Sequence, residues 1–185
     1  MQKALRPHAC RSARPGFTLI EILVVVLIIG IAAAIVVPQL GTRNDMKVAS
    51  AARVIMADLI YAQNLSITQQ NYHYLAAEVA NQRYSVRNAA LNEVTHPVNK
   101  TAYRVRFGAG GTNGFNELTL ISANFTGQSG SIYNTIGFDE LGSPLVHTGA
   151  TTEPMTAGAI IIQAGNHRMR IDIEPFTGQI NVTPI

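Results

Sequence analysis

The stretch RPGFTLIEILVVVLIIGIAAAIVVP, residues 14–38, contains an apolar run in which Glu21 is the only charged residue. As a helix, the 21 residues from Phe17 to Val37 would extend about 31 Å, enough to cross the hydrocarbon core of a bilayer. A carboxylate inside such a segment costs roughly 2.5–3.5 kcal/mol on insertion. The sequence therefore predicts a transmembrane helix over residues 17–38, in which Glu21 has a function or a partner.

The segment that precedes this run is basic. Residues 1–16 contain Lys3, Arg6, Arg11 and Arg14 and no acid, which leaves ten basic residues against eleven acids in the rest of the chain. An excess of Lys and Arg beside a transmembrane helix marks the cytoplasmic side. We therefore expect a cytoplasmic leader, a single pass through the bacterial inner membrane and an exported remainder. The pI of about 9.2 reflects the leader and does not by itself indicate a nucleic-acid partner.

Three interpretations of the apolar segment compete. In a secretory signal peptide, residues 32–34 (Ala-Ala-Ala) would be the cleavage site, and a soluble β protein would be released near Ile35. A plain membrane anchor would explain the length of the segment. Neither interpretation explains Glu21.

The residues around Glu21 favour a third interpretation. Gly16-Phe17-Thr18-Leu19-Ile20-Glu21 resembles the processing site of type IV pilins and of the pseudopilins of type II secretion. The resemblance implies that a prepilin peptidase cuts after Gly16 and methylates the new amine of Phe17. It also implies that Glu21 is the acid these proteins use in subunit assembly. Pro38 matches a proline that kinks the helix in many of them.

Two roles for Glu21 remain open at this point. Cleavage creates a positive amine on Phe17, one helical turn from the carboxylate, so Glu21 could neutralise the amine of its own subunit. The resemblance implies instead that it pairs with Phe17 of a neighbouring subunit. The partners implied are other pseudopilins in a filament, the prepilin peptidase/methyltransferase, an inner-membrane assembly platform and the lipid bilayer.

Downstream of the apolar run, the sequence predicts an amphipathic helix. Residues 39–71 are expected to form this half of one long N-terminal helix, with regular helix over roughly 45–70. Small or apolar residues recur there at alternating steps of four and three. They are Val48, Ala52, Ile55, Leu59, Ala62 and Ser66.

From Tyr72 onward, the apolar period changes to two. Eight strands are predicted, and residues 72–185 are expected to form a β-rich periplasmic head. Turn signals at Gly165-Asn166 and Thr177-Gly178 make residues 159–183 a three-stranded meander. The predicted fold class is α+β, with one long helix packed on an antiparallel sheet. The strands are Tyr72–Ala76, Gln82–Asn88, Ala102–Phe107, Glu117–Ala123, Thr135–Asp139, Ala159–Ala164, Arg168–Glu174 and Gln179–Thr183.

The head carries a second, weaker resemblance. ARVIMADLIYAQNLSITQQ, IGFDELGSP and MRIDIEPFTGQINV are similar to the H-type minor pseudopilin domain, which is shared with FimT-type minor pilins. Residues 72–100 match no motif of that domain. The positions that correspond to its motifs are Arg53, Ala62, Phe138, Gly142 and Thr177-Gly178.

Catalytic and cofactor sites are not indicated. The glycine-rich loop over residues 108–114 lacks the Lys-Ser/Thr ending of a phosphate loop and lies between strands. The pair Asp139-Glu140 has no further oxygen ligands around it, and the five histidines lack metal-ligand spacing. Cys10 is the only cysteine, so no internal disulfide can form. We expect no enzyme activity, no metal and no cofactor.

A nucleic-acid contact is the remaining alternative. Arg104 and Arg106 on one predicted strand, with Arg168 and Arg170 on another, would form a basic strip if they shared a face. Few aromatic residues accompany them to stack on bases, so a charged outer face of the sheet is the favoured interpretation.

The sequence thus predicts a minor pseudopilin of the H type that helps protein export across the outer membrane by assembling into a periplasmic pseudopilus. The runner-up is a FimT-like minor type IV pilin of a pilus or of a DNA-uptake machine.

Overall fold

The computed structural model describes residues 16–39, 43–112 and 114–185, so most of the predicted leader lies outside the described residues. The chain divides into two compact units, Met1–Gly41 and Thr42–Ile185. The first contains helix α1, Leu19–Gln39, whose described side chains are exposed. In the described part of the chain, no helix is both long enough and apolar enough to cross a membrane.

The second unit begins with helix α2, Arg43–Gln69. Asp45 lies in its first turn, where a negative charge interacts favourably with the helix dipole. The predicted apolar stripe is confirmed, because all six of its residues are buried. Two further residues on the same side, Ala51 and Asp58, are also buried. The helix therefore supplies one complete face to the core of the head.

In the described residues, ten strands follow α2. They are β1 His73–Glu78, β2 Arg83–Asn88, β3 Arg104–Arg106, β4 Thr119–Gly127, β5 Ile132–Tyr133, β6 Thr135–Phe138, β7 Pro144–His147, β8 Thr152–Ala164, β9 His167–Ile173 and β10 Ile180–Pro184. All their pairings are antiparallel. The main path runs β10-β9-β8-β7-β6-β1-β2-β3, and β4 pairs with both β8 and β5. A short 3-10 helix, Val79–Asn81, joins β1 to β2.

The 13-residue strand β8 connects two groups of strands. Its first residues, Thr152–Pro154, pair with β7, whereas its later residues pair with β4 on one side and β9 on the other. Ile160 and Ile162 point into the core and are at most 1% exposed. One hydrophobic core thus includes side chains from both groups of strands and from α2.

The predicted α+β architecture is confirmed, and each of the eight predicted strands overlaps an observed one. The meander β8-β9-β10 is also confirmed. The sequence does not predict β7 or the first half of β8, which contain Pro144 and Pro154. Proline removes a ladder donor and so argues against a strand, although edge and terminal positions tolerate it. The two-residue strand β5 is too short to show any period.

Candidate functional site

The predicted processing site lies just before α1. Gly16, Phe17 and Thr18 are not helical, and α1 begins at Leu19. Phe17 is 79% exposed, and among the described residues beyond its chain neighbours no atom would lie within 4 Å of a Cβ built on Gly16. The peptide bond between Gly16 and Phe17 therefore lies outside the helix and is accessible, as a peptidase requires.

Glu21 and Thr18 form a reciprocal cap at the start of α1. The Glu21 N–H donates to Thr18 Oγ1 at 3.3 Å, and the Thr18 N–H donates to Glu21 Oε2 at 3.4 Å. This is the capping box, in which a Thr at the helix N-cap and a Glu three residues later satisfy each other's backbone donors. The Thr-x-x-Glu spacing of this box, Thr18 to Glu21, is already visible in the sequence.

The cap gives Glu21 a role within its own subunit that requires no amine. Because Oε2 already accepts a hydrogen bond from the chain, the carboxylate is held against the N-terminus of α1 before any cleavage. Among the described residues, no donor is paired with Oε1, so one carboxylate oxygen is left to accept from a second group. Capping and pairing with an amine are therefore compatible roles for the same side chain.

In the head, the structure brings together three of the positions that resemble the H-type domain, Phe138, Gly142 and Gly178. The Gln63 side chain on α2 donates a hydrogen bond to the Gly142 carbonyl oxygen at 2.8 Å. A Cβ on Gly178 would lie 2.7 Å from Gln63 Nε2, 3.3 Å from the Gly142 carbonyl oxygen and 3.5 Å from the Phe138 ring. The β6–β7 turn, the β9–β10 turn and α2 thus meet at one point, here called the two-turn junction (Gln63, Phe138, Gly142, Gly178).

Substitution of Gly142 by Ala should destabilise the head more than the same substitution of Gly149. Both glycines have positive φ, +84° and +99°, so each alanine adds backbone strain of roughly 1–2 kcal/mol. Only at Gly142 would the new Cβ also contact a neighbour, Ile67 Cδ1 at 2.9 Å. Chemical denaturation of the two variants measures the difference. Equal losses would mean that the two-turn junction tolerates a methyl group.

A buried carboxylate links α2 to the sheet. Asp58 is 7% exposed and accepts hydrogen bonds from the hydroxyls of Tyr84, at 2.5 Å, and Tyr103, at 2.8 Å. Burial raises the pKa of Asp58 above its usual value, although the two tyrosine hydrogen bonds oppose the rise. The pKa of Tyr84 is raised mainly by its own burial and further by the nearby carboxylate.

The buried carboxylate also gives a structural role to part of residues 72–100, which matched no motif. Tyr84 lies on β2 inside this region, and the His96 ring packs on Tyr103 with centroids 4.4 Å apart. The Tyr61 ring of α2 also stacks on Tyr103, with centroids 5.4 Å apart. The region therefore anchors α2 through polar and aromatic contacts. Asp58 could have been singled out from the sequence, because it is the only acid of α2 beyond the first turn.

Known proteins resemble this chain both in its N-terminal segment and in its fold. Residues 11–37 match the prokaryotic N-terminal methylation motif. The chain is 54% identical to type II secretion system core protein G of Pseudomonas aeruginosa over 43 aligned residues. The aligned segment is 23% of this chain and 30% of that protein. The chain thus spans about a third of the length of this curated relative.

Among solved structures, the minor pseudopilin EpsH from the type 2 secretion system of Vibrio cholerae aligns with 75% of this chain and 97% of its own. The TM-score is 0.50 and the sequence identity is 10%, so the likeness concerns the fold. The chain has a pseudopilin fold. The relatives it matches are named as components of secretion systems.

The pseudopilin head does not bring the four predicted arginines together on neighbouring strands. Arg104 and Arg106 are on β3 and Arg168 and Arg170 are on β9, with five strands between β3 and β9 along the sheet. The single strip that the sequence analysis considered is therefore not formed, because the order of the strands separates them.

Three of these arginines have polar partners within the head. Arg104 makes a bidentate ion pair with Glu93 at 2.7 Å, and Arg170 pairs with Asp172 at 2.6 Å. Arg168 donates to the Gln163 side-chain oxygen at 2.8 Å. These three arginines are exposed on the surface of the head, each with a polar partner.

The acidic turn is also part of the fold. Asp139 Oδ1 accepts hydrogen bonds from the N–H groups of Leu141 and Ser143, at 2.9 and 2.7 Å. The carboxylate thus closes the β6–β7 turn next to the two-turn junction. Within the ranges that the structure describes, no three His, Cys, Asp or Glu side chains are grouped so that they could hold a metal ion.

Proposed function

We propose that this chain is a minor pseudopilin subunit of a type II secretion pseudopilus. One observation carries the proposal: an N-terminal methylation motif over residues 11–37 precedes a pseudopilin head in the same chain. The motif contains the exposed Gly16–Phe17 bond and the Glu21 carboxylate, which are the groups that processing and assembly need. The head, with its core and its two-turn junction, is the part that a filament would display.

In this proposal, a prepilin peptidase removes residues 1–16 on the cytoplasmic side and methylates Phe17. The apolar segment over residues 17–38 holds the subunit in the inner membrane, with the head in the periplasm. An assembly platform then moves the subunit out of the bilayer into a filament of pseudopilins. The subunit has no catalytic step of its own, and it helps protein export across the outer membrane by its place in the filament.

The experiment that tests the proposal is processing by a prepilin peptidase. Co-expression should yield a chain that begins at N-methylated Phe17, shorter by the 16 residues of the leader. Gly16→Leu should block cleavage, because a bulky side chain at the residue before the cut obstructs its entry into the peptidase. Mass spectrometry of the N-terminus distinguishes the products.

Gly30→Leu is the matched control, since it makes the same change inside α1, where a Cβ would meet nothing within 4 Å. This variant should be processed like the wild type. A product beginning near Ile35 would identify a signal peptide and a soluble secreted protein, and the proposal would then fail. Cleavage after residue 16 in the Gly16→Leu variant would show that the peptidase does not require a small residue at this position.

A further inference from the structure

Two arginines lie directly opposite each other at the β3 edge of the sheet. Arg83 of β2 and Arg106 of β3 are register partners, so their side chains emerge on the same face. They line a surface pocket of about 350 Å³ together with the glycine-rich loop that follows β3. The other lining residues are Asn81, Gln82, Phe107, Ala109 and Gly110.

The pocket has a surplus of positive charge. Arg83 is paired with Glu78, to which its Nε donates at 2.7 Å, but Glu78 also pairs with Arg87 at 3.0 Å. Among the described residues, no carboxylate lies within ion-pair distance of Arg106. Like charges directly opposite on paired strands are destabilising. Glu78 is thus shared between Arg83 and Arg87, and an anion in the pocket would offset the remaining positive charge.

The loop beside Arg106 is held in a fixed shape. The Gly111 N–H donates to the Gly108 carbonyl oxygen at 2.8 Å and closes a tight turn, in which Gly110 has a φ of +76°. Thr112 anchors the turn to β3, because its Oγ1 accepts from the Arg106 N–H at 3.0 Å and its own N–H donates to the Arg106 carbonyl oxygen at 3.0 Å. A Cβ on Gly111 would lie 2.7 Å from that carbonyl oxygen, so the approach requires glycine.

The turn also leaves backbone donors beside the arginines. Within the described residues, no acceptor is paired with the N–H groups of Ala109 and Gly110. Turns that present successive backbone N–H groups form concavities that bind anions. This loop is not a nucleotide phosphate loop, because it lacks the Lys-Ser/Thr ending and lies between strands. A simpler anion site needs only the donors that are present here.

We propose that the pocket between Arg83, Arg106 and the Gly108–Gly111 turn binds a single oxyanion, a phosphate or a carboxylate group. Arginine pairs with both groups through two parallel N–H···O bonds. The only aromatic residue lining the pocket, Phe107, is 5% exposed and packs on the core side, so no ring is available to stack on a base. The site therefore holds one anionic group and does not follow a nucleic-acid backbone.

Titration of the full chain in detergent with inorganic phosphate tests the proposal. Ionic strength is held constant with sodium chloride, and binding is followed by calorimetry. Phosphate should bind saturably, and Arg106→Gln should weaken the binding about tenfold, as expected when a hydrogen-bonded charge pair is lost. Arg106→Lys keeps the charge but not the planar fork of donors, so its phosphate affinity should lie between those of the wild type and Arg106→Gln.

Arg104→Gln is the matched control, because Arg104 lies on the same strand but is paired with Glu93. It should change phosphate affinity less than twofold. A parallel titration with acetate distinguishes the two anionic groups. Binding of acetate that is tighter than that of phosphate supports the site and identifies a protein carboxylate as its natural occupant. The proposal is overturned if neither phosphate nor acetate binds more tightly than chloride, or if Arg104→Gln weakens binding as much as Arg106→Gln. Tighter, strongly salt-dependent binding of single-stranded DNA would also overturn it.

Discussion

Glu21→Gln is expected to abolish incorporation into the pseudopilus while leaving α1 capped and the precursor processed. Glutamine at the third helical position completes a capping box as glutamate does, so its reciprocal bonds with Thr18 persist. The negative charge is lost, and a neighbour's Phe17 amine would then have no counter-charge. Insertion should not suffer, because removing a charge from an apolar segment lowers the cost of insertion. Co-purification of partner pseudopilins from membranes measures the effect.

Thr18→Ala is the complementary variant. It removes the capping hydroxyl and keeps the carboxylate, at a cost of about 0.5–2 kcal/mol in the stability of the helix end. If the intersubunit charge decides assembly, Thr18→Ala should assemble nearly as well as the wild type. Glu21→Ala, which loses both functions, should fail as Glu21→Gln does. Normal assembly of Glu21→Gln combined with failure of Thr18→Ala would mean that the cap, and not the charge, is what the filament needs.

Asp58→Ala is expected to reduce the free energy of unfolding of the head by about 2–4 kcal/mol, which is a large fraction of the stability of a small domain. The substitution leaves the buried hydroxyls of Tyr84 and Tyr103 without their acceptor. Asp45→Ala is the control on the same helix, where an exposed acid in the first turn contributes only about 0.3–1 kcal/mol. Denaturation of the detergent-solubilised chain, followed by circular dichroism, compares the two. Losses of equal size would show that the buried hydrogen bonds contribute nothing specific.

The stability of the head should also change with pH through Asp58. Burial raises the pKa of this carboxyl, so its protonated form is favoured in the folded state. The contribution of Asp58 to the free energy of unfolding is therefore fully present below the ordinary pKa of an aspartate. It is lost as the pH rises through the raised pKa of the folded state. Asp58→Asn should remove this dependence. Wild-type and variant unfolding free energies that run parallel over this pH range would contradict the assignment.

The sequence predicted best where burial follows a simple period. The apolar stripe of α2 has a period near 3.6, and each of its six predicted residues is buried. The alternation around Arg170 likewise located β9 to within a residue at each end. In both cases one face of an element packs on the core, so the pattern of residues reports directly on the fold.

The features that were not predicted depend on contacts between distant residues or on exceptions to local rules. Asp58 is an acid on an otherwise apolar, buried face, and only the fold shows that it accepts hydrogen bonds from Tyr84 and Tyr103. The sequence assigned the four arginines of the predicted strip to strands. It did not show whether those strands are neighbours, because alternation of polar and apolar residues does not reveal the order of strands in a sheet. The cap at Thr18 was within reach, since it depends on a spacing of three residues.

The long strand β8 makes the head difficult to open in parts. Because Thr152–Ala164 belongs to both groups of strands, separating β7 from β8 exposes the edge of the same strand that β4 and β9 require. Partial unfolding of one group therefore weakens the other. Amide hydrogen exchange in the second half of β8, at Ile160 and Ile162, should proceed only through complete unfolding, with one shared protection factor. A subunit passed from the bilayer into a filament would thus travel as a folded unit.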